Sequence, residues 1–246
     1  MIDGFEKVKE EPKQDLNLSR QSKLIPVDKI NEYTLKVFGV GSVGSHFVKT
    51  AVKTGFRNIE VYDLDIVEEE NIAAQAFDFK HIGMNKVEAM KEICKESAGV
   101  EIITHHGRVS EENPITPEAN TIYCCFFDSF EARQMLFDML KDYPVIFIDG
   151  RIGMYNMRHY LVELDDAEQV KEYLKTLDTK VVSDLKCGEK ACCPVNAQIS
   201  SMILINIINY LKNNYYIKVF IGNAKAPANN IYIQKIRDKK EEKDDN

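Results

Sequence analysis

The sequence predicts an α/β protein built on a doubly wound, mostly parallel sheet whose second half is mixed and partly antiparallel. Three observations carry that prediction. Short β-rich runs alternate with amphipathic helical stretches as far as residue 150. The first run ends in Gly39-Val-Gly41-Ser-Val-Gly44 and leads directly into a helical pattern. Beyond Gly150 the alternation gives way to longer, half-exposed β-runs.

Residues 1–34 are polar and charged, with Pro12 and Pro26 as breakers, and read as an arm or short helices leading into the core. The run TLKVFGV, from Thr34, is the first strand, and Ser45–Gly55 follows with helical spacing and a terminal glycine. Asn58–Asp65 is a second strand and Asn85–Ser97 an amphipathic helix. Glu101–Val109 and Thr121–Phe127 are the third and fourth strands; Glu131–Tyr143 is a helix and Pro144–Gly150 the fifth strand. Strands alternating with helices cover a parallel sheet on both faces. In the second half Met157–Leu164 reads as a strand, Ala167–Leu177 as a helix and Thr179–Cys193 as irregular. Pro194 opens a long apolar helix to about Lys212, since proline suits a first helical turn. Tyr215–Gly222 and Asn229–Ile236 are two closing strands, antiparallel across a turn at Asn223–Asn229. The expected organisation is one domain over residues 35–236, with a nucleotide-binding half over about 35–150 and a mixed half over about 151–236. The charged tail 237–246, RDKKEEKDDN, has nothing to bury and is expected to be disordered.

A chain of 246 residues, 44% hydrophobic and 29% charged, has the length and composition of a globular protein with a sizeable core. Its net charge of −7 argues against a nucleic-acid-coating function, which needs clustered cations. The longest apolar stretch, Ile199–Leu211, is interrupted by Ser200, Ser201, Asn206 and Asn209, too short and too polar to span a bilayer. The N-terminus lacks the apolar run of a secretory signal, so a cytoplasmic protein without membrane contact is expected. Among the six cysteines, Cys94, Cys124 and Cys125 read as small buried hydrophobes, and no CxxC pair points to zinc.

The chemistry concentrates at strand ends. In the glycine loop Gly39 allows a tight turn, Gly41 lets backbone approach a phosphate, and Gly44 lets helix and strand pack closely. This is a Rossmann-like arrangement, and the helix beyond it offers free N–H groups to an anion. Asp63 ends the second strand where a carboxylate can hold ribose hydroxyls. Asp65, Asn71, Gln75 and Lys86 succeed Asp63, and Asp128 ends the fourth strand. An NAD-dependent oxidoreductase fits the glycines and Asp63 equally well, but gives Lys86 and Asp128 no role. A lysine and an amide suit ATP phosphates, and a strand-end carboxylate suits Mg²⁺ between them.

Together with Ser19-Arg20-Gln21, these segments resemble the ThiF/MoeB/HesA family and the adenylation domains of ubiquitin-activating enzymes. The likeness covers about residues 18–236, through VFGVGSVGSHFVKTAVKTGFRNIEVYDLDIVEEEN, HIGMNKVEAM and CCFFDSFEARQ. It implies adenylation, with ATP and Mg²⁺, of the C-terminal glycine carboxylate of a ubiquitin-like or sulfur-carrier protein, by a chain that works as a homodimer. On that resemblance Gly39, Gly41 and Gly44 lie under the nucleotide, Asp63 meets the ribose, and Asn71 and Lys86 face the phosphates. Asp128 binds magnesium, and Arg20 reaches the partner subunit's ATP. Where the family reads N-L-x-R-Q, this chain has Asn71-Ile-Ala-Ala74-Gln75, so an alanine replaces a phosphate-binding arginine. Either Arg57, Lys80 or Arg151 substitutes, or the protein is a nucleotide-binding partner that adenylates poorly.

The resemblance also implies an acyl-accepting cysteine in the crossover loop. Cys187, flanked by Lys186 and Lys190, is the first candidate, and Cys193 at a helix entrance is the second. His105 and His106 read as strand-end surface residues. Asp149-Gly150-Arg151 ends the fifth strand and is expected to contact the incoming tail of the substrate.

Overall fold

A computed structural model describes residues 16–177, 192–213 and 215–236. The expected tail and most of the stretch Thr179–Cys193 lie outside those residues. The chain runs α1 (Val27–Ile30), β1 (Thr34–Phe38), α2 (Ser42–Thr54), β2 (Ile59–Asp63), α3 (Lys86–Ala98), β3 (Ile103–His106) and β4 (Thr121–Cys125). It continues through α4 (Phe130–Leu140), β5 (Ile146–Gly153), β6 (Asn156–Glu163), α5 (Ala167–Leu174), α6 (Cys193–Asn213), β7 (Tyr215–Asn223) and β8 (Ile231–Ile236).

All eight strands join one sheet in the order β3-β2-β1-β4-β5-β6-β7-β8. β1 pairs in parallel with β2 and β4, β2 with β3, and β4 with β5; every later pairing is antiparallel. This is the expected mixed architecture. From β1 the chain moves outward to β2 and β3, then crosses back to β4 on the other side. The carboxyl ends of β1 and β4 therefore flank a topological switch point, where open α/β sheets take their ligands.

Local sequence explains the elements. The five residues of β4, Thr-Ile-Tyr-Cys-Cys, are all buried, as a central parallel strand with both faces covered requires. α2 and α3 stop at Gly55 and Gly99, which take left-handed backbone angles. Ser129 and Asp166 cap α4 and α5 by accepting N–H groups of the first turn. On one face α2, α3 and α6 pack over the sheet through Phe47, Val52, Met90, Ile203 and Ile207. On the other, α4 and α5 bring Leu136, Phe137 and Tyr173 against Tyr123 and Phe147. A truncation such as Phe137→Ala costs about 3–5 kcal/mol in a core of this kind.

The described part of the arm leads into the core: Ile30 is fully buried, and Leu16, Ile25 and Tyr33 pack on the core. No period marks these residues because they cover the ends of α2 and α6 rather than forming a face of their own. The crossover from β3 to β4 carries no helix, so β2 alternates between buried and half-buried residues instead of being covered on both sides. The uncovered face holds a cavity of about 330 Å³ beside Lys36, Glu60, Tyr62 and His105. Among the described residues no helix is long and apolar enough to cross a membrane.

Candidate active site

The glycine loop joins β1 to α2 at the switch point. Gly39 has φ +88°, and a Cβ there would lie 2.9 Å from the Phe126 carbonyl oxygen. At residue 44 a Cβ would collide with the Gly39 carbonyl, so the loop folds tightly only with glycine at both positions. At Gly41 a Cβ meets nothing within 4 Å. Packing within the chain therefore does not demand a glycine there, whereas close approach of an outside group to the backbone would. No side chain caps the α2 N-terminus, which leaves first-turn N–H groups available to an anion.

Asp63 holds this loop in place. It is buried, its Oδ2 accepts the Val40 N–H at 2.7 Å, and its Oδ1 accepts the Asp65 N–H at 2.9 Å. Burial pushes its pKa up from the ordinary carboxylate value, while the Asp65 N–H, Lys86 and the Val40 N–H pull it back. Each carboxylate oxygen keeps a second acceptor direction. Lys86, the first residue of α3, is buried and donates to Asp65 Oδ2 at 2.8 Å. An Ile66–Asn85 bridge ties the start of that helix to the segment after β2.

Asn71 lies on a short 3₁₀ turn, its Oδ1 accepting the Glu68 N–H at 3.0 Å. The next turn brings Ala74 inward. Its carbonyl accepts Asn196 Nδ2 of α6 at 2.8 Å and lies 3.1 Å from His46 Nε2 of α2. Burial lowers the His46 pKa, the Ala74 carbonyl opposes this, and Lys49 adds to it. Cys193 Sγ, at the start of α6, is 4.0 Å from the same His46 nitrogen. Gln75 Oε1 and Asn196 Oδ1 are buried without a hydrogen-bond partner among the described residues.

Asp128 follows the end of β4, exposed and without an ion pair among the described residues. Beneath it lies a buried cluster. Asp149 is fully buried and accepts Arg133 Nη1, Arg151 Nε at 2.7 Å and the Tyr173 hydroxyl at 2.7 Å. Asp149 therefore faces inward, and the expected contact with an incoming tail is corrected. β5 runs on to Gly153, so Asp149 is in mid-strand with helices over it.

The carboxyl edge thus gathers Gly39, Gly41, Gly44, Asp63, Asp65, Asn71, Gln75, Lys86, Asp128 and Cys193. It does not gather Arg20. The turn carrying Arg20 lies at the far end of α2, where Gln21 donates to the Lys53 carbonyl at 3.4 Å and Lys212 to the Lys23 carbonyl at 3.1 Å. A 13-residue helix separates it from the glycine loop by about 20 Å. Cys187 lies outside the described residues.

None of the three cations expected to stand in for the missing arginine is both at the carboxyl edge and without an ion pair. Arg57 is at the amino edge, its N–H bonded to Asn31 at 3.0 Å. Lys80 pairs with Glu92 and Glu96, and Arg151 with Asp149. His105 stacks on Tyr62 at 4.2 Å and pairs with Glu60 at the strand end, as expected of it. Cys94, Cys124 and Cys125 are buried; burial pushes the Cys94 thiol up to about 12. Sequence reasoning missed His46 and Asn196, which long-range packing brings to the edge, and Arg133, which reaches back from α4 to the end of β4.

Among the described residues no three His, Cys, Asp or Glu side chains group as a metal cage. A lone, exposed Asp128 fits Mg²⁺, which is commonly held by one or two carboxylates together with substrate phosphates.

The ThiF family model matches residues 16–245. SUMO-activating enzyme subunit 2 of Dictyostelium discoideum is 40% identical over 84 residues, 33% of this chain and 13% of that protein. The NEDD8-activating enzyme E1 catalytic subunit of Arabidopsis thaliana is 33% identical over 112 residues, 44% of this chain and 25% of that protein. The chain thus spans a quarter or less of the length of these relatives. Among solved structures, E. coli MccB with ATP aligns over 92% of this chain and 74% of its own, with TM-score 0.68 and 15% identity. PaaA aligns over 85% of this chain and 74% of its own, with TM-score 0.64 and 14% identity. These two similarities show the fold. The family match runs from the arm through the glycine loop and the antiparallel strands, and the chain belongs to the ThiF family.

Proposed function

We propose that this protein adenylates the C-terminal carboxylate of a small ubiquitin-like or sulfur-carrier protein at the expense of MgATP. The observation that carries the reading is the carboxyl edge itself: an uncapped helix N-terminus behind a tight glycine loop, with Asp63 wired to the loop and Asp128, which has no ion pair among the described residues, opposite. The triphosphate lies along Gly39–Gly44, and the ribose hydroxyls use the remaining acceptor directions of Asp63. Lys86 exchanges Asp65 for a phosphate oxygen, and Asn71 and Gln75 face the same groups. Asp128 would hold Mg²⁺, which would offset phosphate charge.

A substrate carboxylate oxygen attacks the α-phosphorus. An acyl–oxygen–phosphorus bond forms and the bond to pyrophosphate breaks. The attacking group is already ionised at neutral pH, so the site needs no general base. Where the acyl group moves on, a cysteine thiolate attacks the carbonyl and AMP leaves, with Cys187 or Cys193 as acceptor. Arg20 lies far from its own glycine loop, which supports a homodimer in which it serves the partner subunit's nucleotide.

A second reading rests on Ala74. With no guanidinium there, Arg57 at the opposite edge, and Lys80 and Arg151 already paired, the chain is instead a nucleotide-binding partner without adenylation activity. Pyrophosphate exchange with ATP, Mg²⁺ and a panel of small proteins ending in Gly-Gly separates the two. Exchange with any member establishes adenylation. ATP binding without exchange, together with exchange gained by Ala74→Arg, establishes the second reading.

A further inference from the structure

We infer that Arg133 is a positioning residue for the nucleotide site: its buried guanidinium fixes the backbone at the end of β4, and with it the place of Asp128 relative to the glycine loop. The inference rests on the reading that Asp128 holds the metal of MgATP.

Arg133 is 3% exposed, on the inner face of α4. Its Nη2 donates to the Phe127 carbonyl, and its Nη1 to Asp149 and, at 3.4 Å, to the Cys125 carbonyl. The carbonyl between those two, on Phe126, lies 2.9 Å from the Cβ position of Gly39. Carbonyls alternate in direction along an extended backbone. One segment is therefore gripped by Arg133 on one side and forms a wall of the glycine loop on the other. Asp128 is the next residue along, and nothing else holds it: it is exposed and has no ion pair among the described residues.

The guanidinium is itself held. Asp149 accepts Arg133 on one oxygen, and Arg151 and Tyr173 on the other. Arg151 is fixed in turn by the Thr176 carbonyl and hydroxyl, each at 2.9 Å. A planar fork that spans two carbonyls and a carboxylate is a geometry lysine lacks. Stability alone does not explain the choice. Two guanidiniums share one buried carboxylate, and Arg133 Nε is buried without a hydrogen-bond partner among the described residues. Both features cost stability in a place where an apolar side chain would fill the space.

The test is binding of mant-ATP to the full chain, titrated with and without Mg²⁺, which needs no knowledge of the carboxylate substrate. Mg²⁺ should tighten binding by the wild-type protein, and Asp128→Asn should remove that gain. Arg133→Lys, which touches no nucleotide, should reduce the gain about tenfold, the effect typical of losing support behind a metal ligand. Metal-free binding should stay within about twofold, because the glycine loop keeps its bonds to Asp63. An unchanged gain in a folded Arg133→Lys protein overturns the inference. So does an equal loss with and without metal, which is what general loosening produces. If Arg133→Lys does not fold, Tyr173→Phe removes one donor from Asp149 and should cut the gain in the same direction; no change there overturns the inference as well. A wild-type protein with no Mg²⁺ gain sinks the metal reading of Asp128 itself, whereas a gain insensitive to Arg133 sinks this inference alone.

Discussion

The two halves of the sheet place their buried carboxylates toward opposite edges. In the parallel half, Asp63 is the last residue of β2, and Asp149, in mid-strand on β5, lies level with the last residue of β4, so both are on the carboxyl side. In the antiparallel half the one buried carboxylate among the described residues lies at the opposite edge, and other polar groups are buried inside elements. His159 is in mid-strand on β6 and Asn206 in mid-helix on α6, while Glu163 ends β6 and accepts the hydroxyls of Tyr216 at 2.5 Å and Tyr210 at 3.1 Å. Asn206 bonds both the N–H and the carbonyl of Ile217, at 2.7 and 2.8 Å. Groups of the first kind orient a loop and a strand end that face outward. Most of the second kind close on the protein's own backbone and side chains. The difference predicts that substitutions at the carboxyl edge change chemistry more than stability, and that those in the antiparallel half do the reverse.

The largest effect expected is that of Asp128→Ala. Pyrophosphate exchange should fall by at least about 100-fold, the scale of losing a group that stabilises developing charge. The melting temperature should stay within about a degree, because Asp128 is exposed and has no ion pair among the described residues. Undiminished exchange in that variant would break the comparison at its strongest point.

Next comes acid sensitivity in the antiparallel half. His159 is fully buried, both ring nitrogens lack a hydrogen-bond partner among the described residues, and burial lowers its pKa from 6.5 to about 4. The unfolded chain binds this proton more readily, so the stability it represents is present above pH 6.5 and is lost as pH falls toward 4. The loss approaches about 3 kcal/mol. Denaturant melts at pH 7.0 and 4.5 should show a smaller acid loss in His159→Leu than in the wild type. An identical loss would assign the acid sensitivity to other groups.

The difference between the halves also governs what can be read from sequence. The βα alternation, the glycine loop, Asp63 and Lys86 were legible because each depends on a local period or a fixed spacing. Asp128 was legible for the same reason, as the first acid after an apolar run. His46, Asn196 and Cys193 meet around Ala74 through residues up to 147 positions apart, and no local pattern encodes that. Asp149 misled because a strand-end acid and a mid-strand acid look alike in sequence. Only the extension of β5 to Gly153 and the arrival of Arg133 from α4 show that it faces inward. Which residues of the arm pack on the core was illegible, because residues that cover helix ends need no period.

A stability effect of similar size belongs to Asn206. Asn206→Ala removes both bonds to Ile217 and leaves a half-buried N–H and carbonyl without these partners beside the irregularity in β7. The cost should be about 2–4 kcal/mol, read as a lowered denaturation midpoint, with exchange per folded molecule unchanged. A variant that lost exchange while keeping its midpoint would mean that α6 transmits to the carboxyl edge.

The smallest effect sharpens the comparison most, because it falls where the halves meet. Cys193 starts α6 but faces His46 of α2, so it belongs to the antiparallel half by sequence and to the carboxyl edge by position. If it serves only as an acyl acceptor, Cys193→Ala leaves pyrophosphate exchange within about twofold, since adenylate formation needs no thiol. Its loss then appears only as absence of a thioester on the protein in non-reducing gels, with Cys187→Ala as the parallel test. A large drop in exchange would give a different result. Asn196, one turn along the same helix, donates to the Ala74 carbonyl. A disturbance passed along that turn would reach Gln75 and Asn71, and α6 would count as part of the nucleotide site.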